Sequence, residues 1–248
     1  MRQLWTSSIL VHARVICADM RLLHRFTTAK QQHEPHLNED AAFALVRKGI
    51  YALSDGASES YASRRWARTL VARYACVPSI TDAWIRDAIA AYDSEFDREA
   101  LSWSKQAAYD RGSFGTLLSA CIRDDGIQLM ALGDSLAVIE KHGNAVVTHP
   151  YTTPEEFTAR PLLLSTIHAL NQSIDPEQAT LLWPCEHWDG VRIYLMTDAI
   201  GAWLLEALDE RLAVLSGITS APDFIDIVER SRCDGSMRRD DTTLVVIG

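Results

Sequence analysis

Long apolar runs are missing from the sequence. No window of the 248 residues approaches the roughly 18 consecutive apolar positions of a membrane-spanning helix, so a helical membrane anchor is not expected. The opening Met1-Arg2-Gln3-Leu4-Trp5 lacks a charged segment leading into an apolar core, because His12, Arg14 and Asp19 interrupt the stretch beyond it; a secretory leader is not expected either. Cysteine is scarce: Cys17, Cys76, Cys121, Cys185 and Cys233 are odd in number and form no C-x-x-C pair. That leaves no disulfide framework and points to a reducing, cytoplasmic compartment. Repeats, low-complexity tracts and Pro/Ser-rich linkers are absent, so nothing marks a boundary and residues 1–248 are read as one domain. Positive charge is in deficit, with 24 Lys and Arg against 33 Asp and Glu and a net charge of −9. Such a field repels phosphate backbones and argues against nucleic acid as a partner. The first thirty residues are biased the other way, carrying Arg2, Arg14, Arg21, Arg25 and Lys30 against Asp19.

What is present is a soluble globular composition, 48% apolar and 23% charged. Residues 41–46 and 50–54 read as two strands joined by Arg47-Lys48-Gly49, a hairpin-sized connection. A helix comes next, with Ser58 as its cap, Ala62, Trp66, Leu70 and Tyr74 at helical spacing and Pro78 as its stop. Thr81 caps a second, with Ile85, Ala88, Ile89, Tyr92 and Phe96 as its apolar stripe. Trp66, Tyr74, Trp84 and Tyr92 are read as core aromatics.

Residues 117–123, 127–132, 136–141 and 145–149 are short apolar or alternating runs, separated by Asp124-Asp125-Gly126, Gly133-Asp134-Ser135 and His142-Gly143-Asn144. These connections are too short for a helical crossover, so neighbouring strands are expected to pair antiparallel, which excludes a doubly wound parallel sheet. A short helix is expected near 162–170. Residues 191–197 form a buried strand running into Asp198 and a further helix, Ser220 and Pro222 start another, and 243–247 close the chain as a strand. The pattern predicts an α+β fold, a four-layer α-β-β-α sandwich with two antiparallel sheets between helix pairs.

Four aspartates fall where strands are expected to end: Asp40, Asp55, Asp198 and Asp240. If those ends converge, each like-charged pair at 4 Å costs about 4 kcal/mol at an effective dielectric near 20, and only protonation or a cation relieves it. Oxygen ligands without His or Cys at metal spacing suit Mg²⁺ or Mn²⁺ better than Zn²⁺. Gly56, without a Cβ, permits a sharp turn after Asp55, so that its carbonyl can face the same ion.

In their order and surroundings these residues resemble the metal-dependent protein phosphatases, the type 2C serine/threonine phosphatases. The matching pieces are Asn38-Glu39-Asp40-Ala41, Ser54-Asp55-Gly56, Gly112-Ser113-Phe114-Gly115-Thr116, Gly133-Asp134-Ser135, Thr197-Asp198 and Asp240-Asp241-Thr242-Thr243. Each is weak alone; their order along residues 38–243 carries the signal. The resemblance implies an antiparallel β-sandwich flanked by helices and a two-metal centre at one end, in the short bacterial form. It implies that Asp55 bridges two Mg²⁺ or Mn²⁺ ions, that Gly56 offers its carbonyl to one, and that Asp198 and Asp240 hold the other. Asp40 would orient coordinated water, and Asp134 with Asp198 would contribute to a weaker third site. The reaction implied is hydrolysis of a phosphomonoester by a water bridging two ions about 3.5 to 4 Å apart, with no covalent phosphoenzyme. The expected partners are a phosphorylated protein and a cognate kinase, with no nucleic acid and no membrane, the chain being monomeric and acting in signalling. The cysteines are read as core or surface residues.

The sequence departs from the family pattern in four places. Pro35 stands where many members have a phosphate-gripping arginine, so phosphate binding is expected to move to nearby groups, with His36 and Arg25 as the candidates and His33 and Lys30 also near. Ala57 replaces a histidine that serves eukaryotic members as general acid, Ala199 a glycine, and Asp241 an asparagine, which adds negative charge. Arg64, Arg65 and Arg68 read as a charged outer helix face, with contact to a phosphopeptide as the alternative. Two rival functions remain: a regulatory pseudophosphatase that binds phosphoprotein without turnover, and a phosphatase of small metabolites.

Overall fold

The structure, a computed structural model, describes residues 20–58 and 60–248; Cys17, the opening residues and the first part of the basic stretch lie outside them. One antiparallel sheet has the order β1 (Leu22–Thr28), β12 (Thr242–Ile247), β11 (Val191–Met196), β7 (Leu136–Lys141), β8 (Asn144–His149). The second has the order β10 (Thr180–Pro184), β6 (Gly126–Leu132), β5 (Leu117–Arg123), β3 (Ile50–Ser54), β2 (Ala41–Leu45). A small ladder pairs β4 (Phe114–Gly115) with β9 (Leu164–Ser165). The helices are α1 (Ser63–Cys76), α2 (Asp82–Asp93), α3 (Trp103–Asp110), α4 (Asp198–Glu206), α5 (Leu208–Gly217) and α6 (Ala221–Cys233).

Strand periodicity produces the layering. Central strands are buried on both faces, and alternate residues enter different cores. In β3, Tyr51 and Leu53 join Ile193, Leu195, Val245 and Ile247 between the two sheets. Ile50 and Ala52 point the other way, against Trp66, Leu70 and Tyr74 of α1 and Trp84, Ile85 and Ala88 of α2. In β11 and β12, Tyr194, Met196, Leu244 and Val246 pack outward against Ile200, Trp203 and Leu204 of α4 and Phe224 and Val228 of α6. Three apolar layers between four structural layers make the predicted α-β-β-α sandwich.

Local signals explain the best-placed elements. Gly49 adopts φ 62° and closes the β2–β3 hairpin, and Thr81 accepts a hydrogen bond from Trp84 N at 3.1 Å as the cap of α2. Ser220 caps α6 in the same way through Asp223 N.

Three expectations are corrected. Ser58 does not cap α1: the preceding residue is Ala62, in the left-handed region at φ 47°, while the Ser58 hydroxyl accepts from Lys30 Nζ. Gly133-Asp134-Ser135 does not join paired strands; β6 and β7 lie in different sheets, and this turn carries the chain from one to the other. Residues 162–170 form no α-helix, because β9 and a short 3₁₀ turn at His168–Asn171 occupy the region, its backbone captured by the buried Asn171 side chain. Finally, β1, β10, α3 and α5 were not anticipated.

Candidate functional site

Strand registers bring the aspartates together. Ala41 pairs with Ser54, so Asp40 and Asp55 emerge at the same end of their sheet; Leu117 pairs with Leu132, which puts Gly133 and Asp134 there as well. In the other sheet Met196 pairs with both Leu244 and Leu136, so Asp198, Asp240 and Asp134 share an end. The three-residue crossing between Leu132 and Leu136 requires those two ends to be the same end of the sandwich.

Asp40 is the most firmly held. Its Oδ2 accepts from Thr243 Oγ1 at 2.6 Å and Thr197 Oγ1 at 3.4 Å. Its backbone N–H donates to the buried Asn38 side chain, which donates to Thr27 Oγ1, itself 2.8 Å from Thr243 Oγ1. Asp40 Oδ1 is buried and has no partner. Burial first, and then the charges of Asp241 and Asp240, push its carboxyl from 3.8 up to about 7 against the opposing hydrogen bonds. Asp55 is raised well above the usual range, by burial and then by Asp40, Asp240, Asp134 and Asp241. Burial raises Asp134 too, with Arg238 opposing. Asp55 N donates to Thr116 Oγ1 at 2.8 Å, and Gly56 bridges Gly115. A Cβ on Gly56 would lie 2.8 Å from the Ser63 carbonyl and 3.0 Å from Glu39 O, so the turn behind Asp55 admits no side chain.

Two arginines that sequence reading overlooked support the cluster. Arg232 is buried in α6; its guanidinium donates to Ala29 O, Thr242 Oγ1 and Asp240 O, tying the Asp240 turn to the end of β1. Arg238 contacts Asp198 Oδ2. No periodicity announces either: Arg232 also pairs with Glu229 within α6, but Ala29 O and Asp198, which matter to the cluster, are remote in sequence. Asp241 does more than add charge: its carboxylate accepts from Lys30 N and Glu39 N, both at 2.7 Å, and so fastens the loop that delivers Asp40. Lys30 is engaged with Glu39 at 3.5 Å and with Ser58. His33 and His36 are exposed, while Arg25 lines a cleft that reaches Asp40.

The donor set suits a hard divalent cation: carboxylate oxygens, the Gly56 carbonyl available at a tight turn, and a buried Asp40 oxygen with no donor. As the side chains stand, no group of three or more His, Cys, Asp or Glu among the described residues is closed tightly enough to hold an ion. The carboxylates are neighbours, not a finished ligand set.

Neither a family sequence model nor a curated protein sequence matches the chain. Solved structures do. The serine/threonine phosphatase PstP/Ppp of Mycobacterium tuberculosis superposes with TM-score 0.60 at 18% identity, over 92% of this chain and 97% of that one. Stp1 of Staphylococcus aureus gives 0.60 at 16%, over 92% and 95%, and PppA of Pseudomonas aeruginosa, a regulatory component of its T6SS, gives 0.60 at 16%, over 93% and 98%. The chain has the type 2C phosphatase fold. Within this phosphatase fold the acidic end of the sandwich is built by both sheets and by the crossing between them.

The carboxyls carry a pH signature of their own. A folded-state value near 7 for Asp40, against 3.8 for an ordinary aspartate, means that the folded chain holds a proton that the unfolded chain releases. That contribution is complete below about pH 4 and is lost as pH rises through about 7; Asp55 acts in the same direction. The melting temperature in EDTA should therefore fall between pH 5 and 8, and Asp40→Asn should flatten the slope. An unchanged slope in that variant would disprove the assignment.

Proposed function

We propose that the chain is a metal-dependent serine/threonine protein phosphatase, a single domain that hydrolyses phosphomonoesters of a protein substrate phosphorylated by a cognate kinase. The observation that carries this reading is the convergence of Asp40, Asp55, Asp134, Asp198 and Asp240 at one end of a sandwich with the phosphatase fold. Asp55, the Gly56 carbonyl, Asp198 and Asp240 would hold two divalent ions, Mg²⁺ or Mn²⁺, with Asp134 contributing to a weaker third site. PstP has been solved with two manganese ions, at 17% identity and TM-score 0.59, over 92% of this chain and 97% of that one. Bound there, such ions supply charge neutralisation at phosphorus and an acidified water. Asp40, fixed through Oδ2 by Thr243 and Thr197, presents Oδ1 as an acceptor that orients the attacking water. Ala57 offers no acid, so the leaving oxygen takes its proton from solvent. Arg25 and His36 are the candidates for holding substrate phosphate. The reading has the chain acting as a monomer in the cytoplasm; no helix among the described residues is long and apolar enough to cross a membrane.

The test is turnover of a phosphothreonine peptide and of p-nitrophenyl phosphate with Mn²⁺ and with EDTA. Metal-dependent release of phosphate supports the enzyme. Phosphopeptide binding without turnover of either substrate supports the regulatory reading, which Pro35, Ala57 and the contact of Arg238 with Asp198 favour.

Arg238 and a divalent ion are alternative partners for Asp198. The Arg238 side chain is 45% exposed, so its hold on Asp198 is worth little after solvent screening. Arg238→Ala should tighten Mn²⁺ binding by roughly three- to tenfold in calorimetry, one decade being about 1.4 kcal/mol. Weaker binding would show instead that Arg238 helps to build the site.

A further inference from the structure

A cleft of about 560 Å³ opens beside the aspartate cluster, between the edge strands β1 and β2 and under α1 and α6. Arg25 of β1 and Arg64 and Arg68 of α1 line it, over an apolar floor that includes Val71, Ala72 and the exposed Phe43. Asp40 and Thr243 also line it, and among the described residues Asp40 is the only acidic one on its wall.

These guanidiniums have no carboxylate partner among the described residues. Among the described residues Arg25 reaches only Ala42 O, at 3.4 Å, and Arg64 donates to His36 O and leaves its Nε buried without a partner. The contrast with neighbouring arginines is direct: Arg65 pairs with Glu95 and Arg73 with Asp87. Arg68 is lowered by burial and then by the like charges of Arg64 and Arg65. Three positive charges without a carboxylate partner among the described residues, in one cleft of a chain with net charge −9, suit a negative occupant. Outside the described residues Arg2 and Arg14 stand against Asp19 and Glu59, which leaves no net charge to supply it.

We propose that this cleft binds an acidic segment of the substrate protein flanking the phosphorylated residue, with Arg25, Arg64 and Arg68 as its specificity determinants. The occupant is a peptide because both walls are edge strands, which offer unpaired backbone groups to an extended chain, and because the floor is apolar. The whole-molecule charge disfavours a long polyanion. The position of the scissile phosphate near Asp40 rests on the phosphatase reading; recognition of the flank does not.

The experiment uses the full chain and three fluorescein-labelled phosphothreonine peptides identical except for Glu, Ala or Lys flanks, with binding read by anisotropy in EDTA. The Glu-flanked peptide should bind about tenfold more tightly than the Ala-flanked one, and the gap should shrink as salt rises from 50 to 200 mM. In Arg25→Ala/Arg68→Ala the gap should fall below about twofold. Arg47→Ala, at the far end of the β2–β3 hairpin, should leave it intact, and Arg68→Glu should turn the preference toward the Lys-flanked peptide. Equal binding of all three peptides by the wild-type chain, or a gap that survives the double substitution, overturns the proposal. So does tighter binding of an oligonucleotide of equal charge. Turnover with Mn²⁺ is scored separately: flank preference without turnover sinks the enzymatic reading alone, and turnover without flank preference sinks this proposal alone.

Discussion

Asp55→Asn is expected to abolish metal-dependent turnover while making the ion-free protein more stable. Asparagine keeps the shape of the side chain and removes its charge. Asp55 is raised by burial and by four neighbouring aspartates, and no donor among the described residues reaches its carboxylate. A charge in that position opposes folding, and each unit of raised pKa corresponds to about 1.4 kcal/mol. Removing it should raise the melting temperature in EDTA by about 2 to 4 °C for each kcal/mol recovered. In the proposed reading the same substitution withdraws the carboxylate that would bridge two ions, so phosphate release should fall at least about 10³-fold, near 4 kcal/mol in the barrier, and the stabilisation by Mn²⁺ expected of the wild type should vanish. At 100 times its dissociation constant that stabilisation is about 2.7 kcal/mol. An aspartate with a purely structural role would behave in the opposite way, losing stability and keeping its ion response. A variant less stable in EDTA than the wild type would show that the Asp55 charge does not strain the cluster.

Trp66→Ala should have the largest effect on stability. Trp66 is fully buried beneath the second sheet, packs edge-on against Tyr92 at 5.7 Å between ring centroids, and donates its indole N–H to Leu164 O at 2.9 Å. Truncation leaves a cavity and costs about 3 to 5 kcal/mol, and it strands a buried carbonyl, which adds to the loss. Chemical denaturation should show a lower midpoint, whereas Trp66→Phe, which keeps most of the packing, should lose about 1 to 3 kcal/mol. The damage should extend beyond the core. Leu164 lies in β9, β9 pairs with β4, and Gly115 of β4 bridges Gly56 behind Asp55. Ion affinity should therefore fall in Trp66→Ala more than in a variant of similar cost on the α6 side, such as Phe224→Ala, also fully buried; equal loss in the two would break this link.

Much of this arrangement could be read from the sequence where the cause was local. The β2–β3 hairpin comes from two apolar runs and one glycine able to take a positive φ, and α2 from a threonine ahead of a regular stripe. Other elements were silent for physical reasons. No residue of α3 is buried, and Trp103 is 84% exposed, so no apolar period could announce it. In β1 the polar His24 and Arg25 break the alternation because this edge strand turns Arg25 toward the cleft. The crossing at Gly133-Asp134-Ser135 looks like a hairpin because three residues suffice for either; pairing partners far along the chain decide between them. The aspartates could be placed because they abut strand ends, whereas Arg232 reaches Ala29 O and Arg238 reaches Asp198, groups brought near only by folding. Asp241, expected simply to add charge, is also the anchor of the loop before β2, through contacts over 202 and 211 positions in sequence.

The crossing has a consequence for how the molecule assembles. Asp40 and Asp55 belong to one half of the sandwich and Asp198 and Asp240 to the other, with Asp134 on a short strap between them. A folding intermediate that has built one half alone possesses at most part of the acidic ring. Capture of Mn²⁺ during refolding would thus serve as a clock for the moment the halves dock, and a bound ion would act afterwards as a clasp across their seam.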